Sequence, residues 1–66
     1  MKNNLRVKRA IKNITQAELA ALIQVSRQTI NTIESGKYVP STVLALKMAN
    51  VFGVPVEEVF ELEEGD

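Results

Sequence analysis

The chain contains neither cysteine nor histidine, and at 66 residues that absence decides how it can hold a fold together. In so short a domain apolar burial only narrowly outweighs the conformational entropy lost on folding, so small folds rely on disulfides, a metal, close helix packing or a partner subunit. Disulfides are excluded here and the commonest zinc ligands are missing, which leaves packing and oligomerisation. The same absence removes the usual nucleophile and base of covalent catalysis, so no enzyme activity, metal or cofactor is expected, and the length allows one domain over residues 1–66. No apolar run approaches the roughly 18 residues needed to cross a bilayer. The polar start MKNNLRVKR lacks a signal peptide's apolar segment, so the chain reads as cytoplasmic, without a membrane partner.

A net charge of zero argues at first against nucleic acid, because phosphate binding normally shows as a basic excess. The distribution argues the other way. Up to residue 48 the cations Lys2, Arg6, Lys8, Arg9, Lys12, Arg27, Lys37 and Lys47 face only Glu18 and Glu34. Glu57, Glu58, Glu61, Glu63, Glu64 and Asp66 then gather in an acidic tail over about residues 57–66, leaving a basic body. The tail can be simply solvated, or it can pair with a basic patch or keep DNA from one side of the molecule.

Periodicity and punctuation divide the chain into short helices. The first is predicted over about Asn4–Lys12, ended by Asn13, which tolerates a left-handed conformation. Thr15 and Glu18 form a Thr-x-x-Glu capping box that opens a second, whose buried stripe is Leu19, Ala20 and Leu22. Ile23-Gln24-Val25 breaks that helix, and Ser26 caps a third from Arg27 to about Ser35, ended by Gly36. A fourth follows Pro40-Ser41, carries Leu44, Ala45, Met48, Ala49 and Phe52 at helical spacing, and stops at Gly53. Pro55 opens a brief fifth with Val56, Val59 and Phe60 on one side, and the alternation Phe60-Glu61-Leu62-Glu63 predicts a short strand. The expected class is all-α with five helices, with a short antiparallel strand pair from the two termini as an optional addition.

About three residues separate helices two and three, too few for an antiparallel hairpin and suited to the steep crossing of a helix-turn-helix over about residues 16–35. The segment TQAELAALIQVSRQTINTIESGKYVPS resembles the helix-turn-helix of the Cro and phage-repressor-like (Xre-type) transcriptional regulators. Thr15-Gln16, Leu19-Ala20, Val25-Ser26, Ile30, Glu34, Gly36 and Pro40 carry the resemblance, and the five-helix outline extends it over nearly the whole chain, as in the family's short stand-alone repressors. It implies a lambda-repressor-like domain that binds double-stranded DNA, and several such proteins are dimers. Two positions depart from the family pattern. Gln24 stands where the family often has Gly at positive φ, so either its Cβ costs about 1 kcal/mol or the turn rearranges. Lys8 stands where an apolar residue commonly faces the core, so either helix one is shifted or Lys8 buries its stem and frees its amine.

With Val25, Ile30 and Ile33 assigned inward, the third helix leaves Arg27, Gln28, Asn31 and Thr32 pointing outward. Arg matches guanine O6 and N7 and a Gln amide matches adenine N6 and N7, each good bidentate contact being worth roughly 1–3 kcal/mol. Thr29 joins them, its methyl free either to meet a thymine or to pack. A solvated polar face is the plainer alternative for all five, and the surrounding signature favours base contact. Gln16 is expected on a phosphate, because free amides and the helix dipole favour an anion there and the resemblance places a matching Gln in that role. Ser26 (after capping), Lys37 and Tyr38 are expected on the flanking backbone, and Asn31 can reach it as well. The resemblance also implies a structural ion pair between Arg9 and Glu34.

A symmetric dimer would place two recognition helices about 34 Å apart along one face of a palindromic operator. Val54, Val56, Val59, Phe60 and Leu62 exceed what the fifth helix needs for its own packing and are the expected homodimer interface, with burial in the monomer as the alternative. The functional expectation is a small sequence-specific transcriptional repressor with no small-molecule ligand. The other reading keeps the shape but makes it a protein-interaction module or antitoxin-type partner protein.

Overall fold

The computed structural model describes residues 1–66. Its elements run β1 (Lys2–Asn3), α1 (Leu5–Lys12), α2 (Gln16–Ile23), α3 (Arg27–Glu34), α4 (Thr42–Phe52), α5 (Val56–Val59) and β2 (Phe60–Glu61). The helix ends fall where local chemistry marks them. Asn13 is left-handed at φ 59°, and beyond it the Ile14 N–H donates to the Arg9 carbonyl at 3.0 Å. The Glu18 N–H donates to Thr15 Oγ1 at 3.0 Å and the Thr15 N–H to Glu18 Oε1 at 2.9 Å, so the capping box satisfies two otherwise orphaned donors. Ser26 and Ser41 cap α3 and α4 by accepting from the Thr29 and Leu44 N–H groups, and Gly53 closes α4 at φ 66°.

Leu5, Leu19, Ala20, Ile23, Ile30, Ile33, Met48, Ala49, Val59 and Phe60 form one buried cluster to which every helix contributes. The packing of α2 on α3 is its most extensive part. Leu22 is not in the cluster. It is exposed, and Ile23 takes its place, because residues 19, 20 and 23 share one face of a 3.6-residue helix while residue 22 falls off its edge.

The two short strands pair antiparallel, Lys2 opposite Glu61 and Asn3 opposite Phe60. Asparagines reinforce that closure. Asn4 donates its backbone N–H to Val59 O at 2.8 Å and its side-chain amide to Glu58 O at 3.0 Å, while Asn3 Nδ2 donates to Ile33 O at 2.9 Å. This packs Val59 and Phe60 into the core of their own protomer, the burial that the sequence left open as the alternative to a dimer contact. Val54 and Val56 are half-buried against the same core, and of that set only Leu62, 82% exposed, stands free.

An ion pair ties α1 to α3. Arg9 Nη2 donates to Glu34 Oε1 at 3.0 Å, Nε donates to Oε2, and Nη1 donates to Ile14 O at 3.1 Å. The Glu34 side chain is only 5% exposed. Burial pushes its carboxyl up, but hydrogen bonds from Arg9 and Gln16, with the charges of Arg9 and Arg6, outweigh burial and hold it below its ordinary value of 4.5. The same contact raises the Arg9 guanidinium further.

Both departures from the family pattern are accommodated without rearranging the turn. Gln24 adopts the left-handed conformation at φ 63°, ψ 47° and carries the steric cost of its Cβ there. Lys8 lies along α1 with its stem largely covered, and Nζ reaches Glu58 Oε2 at 3.5 Å, joining the basic body to the acidic tail.

Two consequences follow for stability. Gln24→Gly should stabilise the fold by about 1 kcal/mol, raising Tm by about 4–8 °C in a thermal melt; an unchanged or lower Tm would show that the turn carries no such strain. Glu34→Gln should cost about 1.5–3 kcal/mol at neutral pH by removing the charge that the half-buried Arg9 pairs with. Because the folded carboxyl titrates below 4.5, the unfolded chain takes up its proton first on acidification. The Glu34 contribution is therefore complete above that value and is lost as pH falls through the folded one, so urea titrations of the two proteins should converge at low pH. A constant gap between them would contradict the pairing.

Candidate nucleic-acid interface

The outward face of α3 is set by what its inward face must cover. Ile30 and Ile33 are buried and Val25, just before the helix, is half-buried, so Arg27, Gln28 and Asn31 are turned to solvent with Thr29 and Thr32 half-exposed between them. Arg27 has no acidic partner, and the Gln28 amide makes no hydrogen bond within the protein. Both retain their full donor capacity.

Two grooves flank this face. The first runs past the start of α2 and is lined by Arg9, Asn13, Thr15, Gln16 and Arg27, among others. Gln16 and Ala17 line it and their N–H groups have no backbone acceptor, so the groove combines first-turn amides, the positive end of a helix dipole and the cation Arg27. Gln16 is held in place from α3, its Nε2 lying 3.4 Å from Asn31 Oδ1 and 3.3 Å from Glu34 Oε1. Asn13 and Thr15, read from sequence only as a helix stop and a cap, prove to be walls of this groove; their part is tertiary and leaves no local signal. The second groove is lined by Ser26, Gln28, Thr29, Thr32 and Tyr38. It places the Tyr38 ring beside the middle of α3, nearer the base-facing side chains than its position beyond the helix implied. Lys37, exposed and without an acidic partner, adjoins it in sequence.

The charge around these grooves is one-sided. Residues 1–48 contain two acids, Glu18 and Glu34, and both are committed, one to the capping box and the other to Arg9. Of the two, only Glu34 is neutralised by a cation; Glu18 keeps its charge on the exposed first turn of α2. The acids of the tail lie on α5, β2 and the residues after them, where Glu58 pairs with Lys8.

Comparison with known proteins agrees with this geometry. The chain matches the Helix-turn-helix family over residues 5–59. It is 52% identical over 66 residues to an uncharacterized HTH-type transcriptional regulator of Methanocaldococcus jannaschii, covering 100% of both chains. A second regulator of that description, from Bacillus subtilis, is 45% identical over 64 residues, 97% of each chain, and a third, from Archaeoglobus fulgidus, is 44% identical over 64 residues, covering 97% of this chain and 90% of the other. No helix is long and apolar enough to cross a membrane. An αL turn between two capped helices, a polar outward face on the second of them and full-length identity to such regulators together show that the chain belongs to the Cro and phage-repressor-like helix-turn-helix family, which is non-enzymatic.

Proposed function

We propose that the protein is a cytoplasmic, sequence-specific DNA-binding transcriptional regulator that lays α3 in the major groove. Arg27, Gln28, Thr29, Asn31 and Thr32 face the bases, while Gln16, Ser26, Lys37 and Tyr38 hold the sugar-phosphate backbone on either side. The observation that carries this reading is the state of the α3 face: a guanidinium and an amide without internal partners, with Glu34, the one acid of that helix, paired to Arg9. The names of the relatives support the same reading. A protein whose outward chemistry is DNA contact regulates most simply by occupying its site, and repression by occlusion is the sign we assign.

Two copies would bind one palindromic operator. Of the exposed apolar side chains, Val39 and Leu46 line a groove with Pro40, Val56 and Phe60, and that groove, with Val43 and Leu62 as further exposed apolar residues, is the surface we assign to a second copy. Burying these side chains between protomers supplies the second stabiliser that so short a chain lacks.

Selection of bound duplexes from a random pool tests the proposal. The wild type should enrich a two-fold symmetric site with affinity that falls steeply with salt. Gln28→Ala should weaken binding by about 1–3 kcal/mol and relax the preference at one adenine per half-site. Sedimentation should show a dimer at micromolar concentration and a monomer for Leu46→Glu. A folded protein that enriches nothing would favour the interaction-module reading, and a strictly monomeric wild type would remove the palindrome.

A further inference from the structure

Thr32 and Thr29 hold their hydroxyl groups in a way that determines what they can offer a base. Thr32 Oγ1 donates to the Gln28 carbonyl one turn back at 2.7 Å, and Thr29 Oγ1 lies 2.9 Å from the N-cap hydroxyl of Ser26. Each oxygen is therefore turned back along α3 toward its N-terminus. A β-branched side chain with its oxygen anchored to the preceding turn has its χ1 fixed, and the remaining heavy atom on Cβ is the methyl group. Thr32 has in addition spent its only proton, so it has nothing to donate to N7 or O6 of a purine.

Residues 29 and 32 are three apart on one helix and so lie side by side, about 5–6 Å between Cβ atoms. They line the same groove, of about 400 Å³, together with Ser26, Gln28 and Tyr38. With the threonine oxygens and the Ser26 hydroxyl engaged within α3, its free groups are the two threonine methyls, the Tyr38 ring with its hydroxyl, and the Gln28 amide. In the major groove of unmodified DNA, the one base-edge group that the methyls and the ring complement is the 5-methyl of thymine.

We propose that Thr32, assisted by Thr29 and Tyr38, is a specificity-determining residue that recognises a thymine 5-methyl group, beside an adenine read by Gln28. The inference rests on α3 reading bases, as proposed above, and it adds the identity of a base and the single group by which that base is chosen.

Replacing thymine by deoxyuridine at one position at a time in the selected duplex removes that methyl and leaves every hydrogen-bonding group in place. Fluorescence anisotropy at fixed salt should show wild-type binding weakened about fourfold at one thymine per half-site, the effect of losing one buried methyl group. Thr32→Ser, which keeps the hydroxyl bond to the Gln28 carbonyl, should bind the thymine and deoxyuridine duplexes equally at that position. Thr32→Val, which keeps a methyl and loses the hydroxyl, should still discriminate. Wild-type indifference to deoxyuridine at every position, discrimination that survives Thr32→Ser, or a selected site without thymine would overturn this assignment while leaving base reading intact. A pool that enriches no sequence would overturn both.

Discussion

The Arg9–Glu34 pair is the contact on which the geometry of the reading unit depends, because three helices meet at one carboxylate. Arg9 comes from α1, Glu34 from the last turn of α3, and Gln16 reaches the same oxygen from the start of α2. A partly buried ion pair is a costly way to gain stability, since desolvation offsets part of the attraction. What it supplies here beyond stability is direction. Apolar side chains would let α3 rotate over the core, whereas a guanidinium fork on a carboxylate fixes that rotation and with it the set of side chains that faces outward.

The same pair shapes the electrostatics. By pairing with Glu34, Arg9 offsets a negative charge at the end of the recognition helix. The Lys8–Glu58 contact and the β1–β2 pairing hold the start of the acidic tail against the other end of the chain. Zero net charge therefore coexists with a basic body over residues 1–48 and an acidic tail, the separation of sign lying in how the charges are distributed along the chain.

What could be read from the residues follows a physical division. The stops at Asn13 and Gly53, the box at Thr15 and Glu18, and the Ser26 and Ser41 caps depend on atoms within a few residues of one another, so the chain announces them and the structure places them within a residue. The preference of Ile23 over Leu22 in the core turns on 100° of helix rotation at the edge of an apolar stripe. The burial of Val59 and Phe60 depends on Asn3 and Asn4, more than fifty residues away, closing the termini together. Of the interface, the outward residues of α3 were legible from periodicity and the family signature, while the grouping of Asn13, Thr15, Gln16 and Arg27 in one groove and of Tyr38 with Thr29 and Thr32 in another required the fold.

The most direct measurement of the central claim is a titration of the ¹⁵N-labelled protein with its selected duplex, followed by amide chemical shifts. The account predicts the largest changes at residues 15–17, 27–32 and 37–38, with Val43, Leu46 and Leu62 little changed between the protein alone and the complex. Changes concentrated on α4, α5 and the acidic tail, with α3 silent, would contradict it.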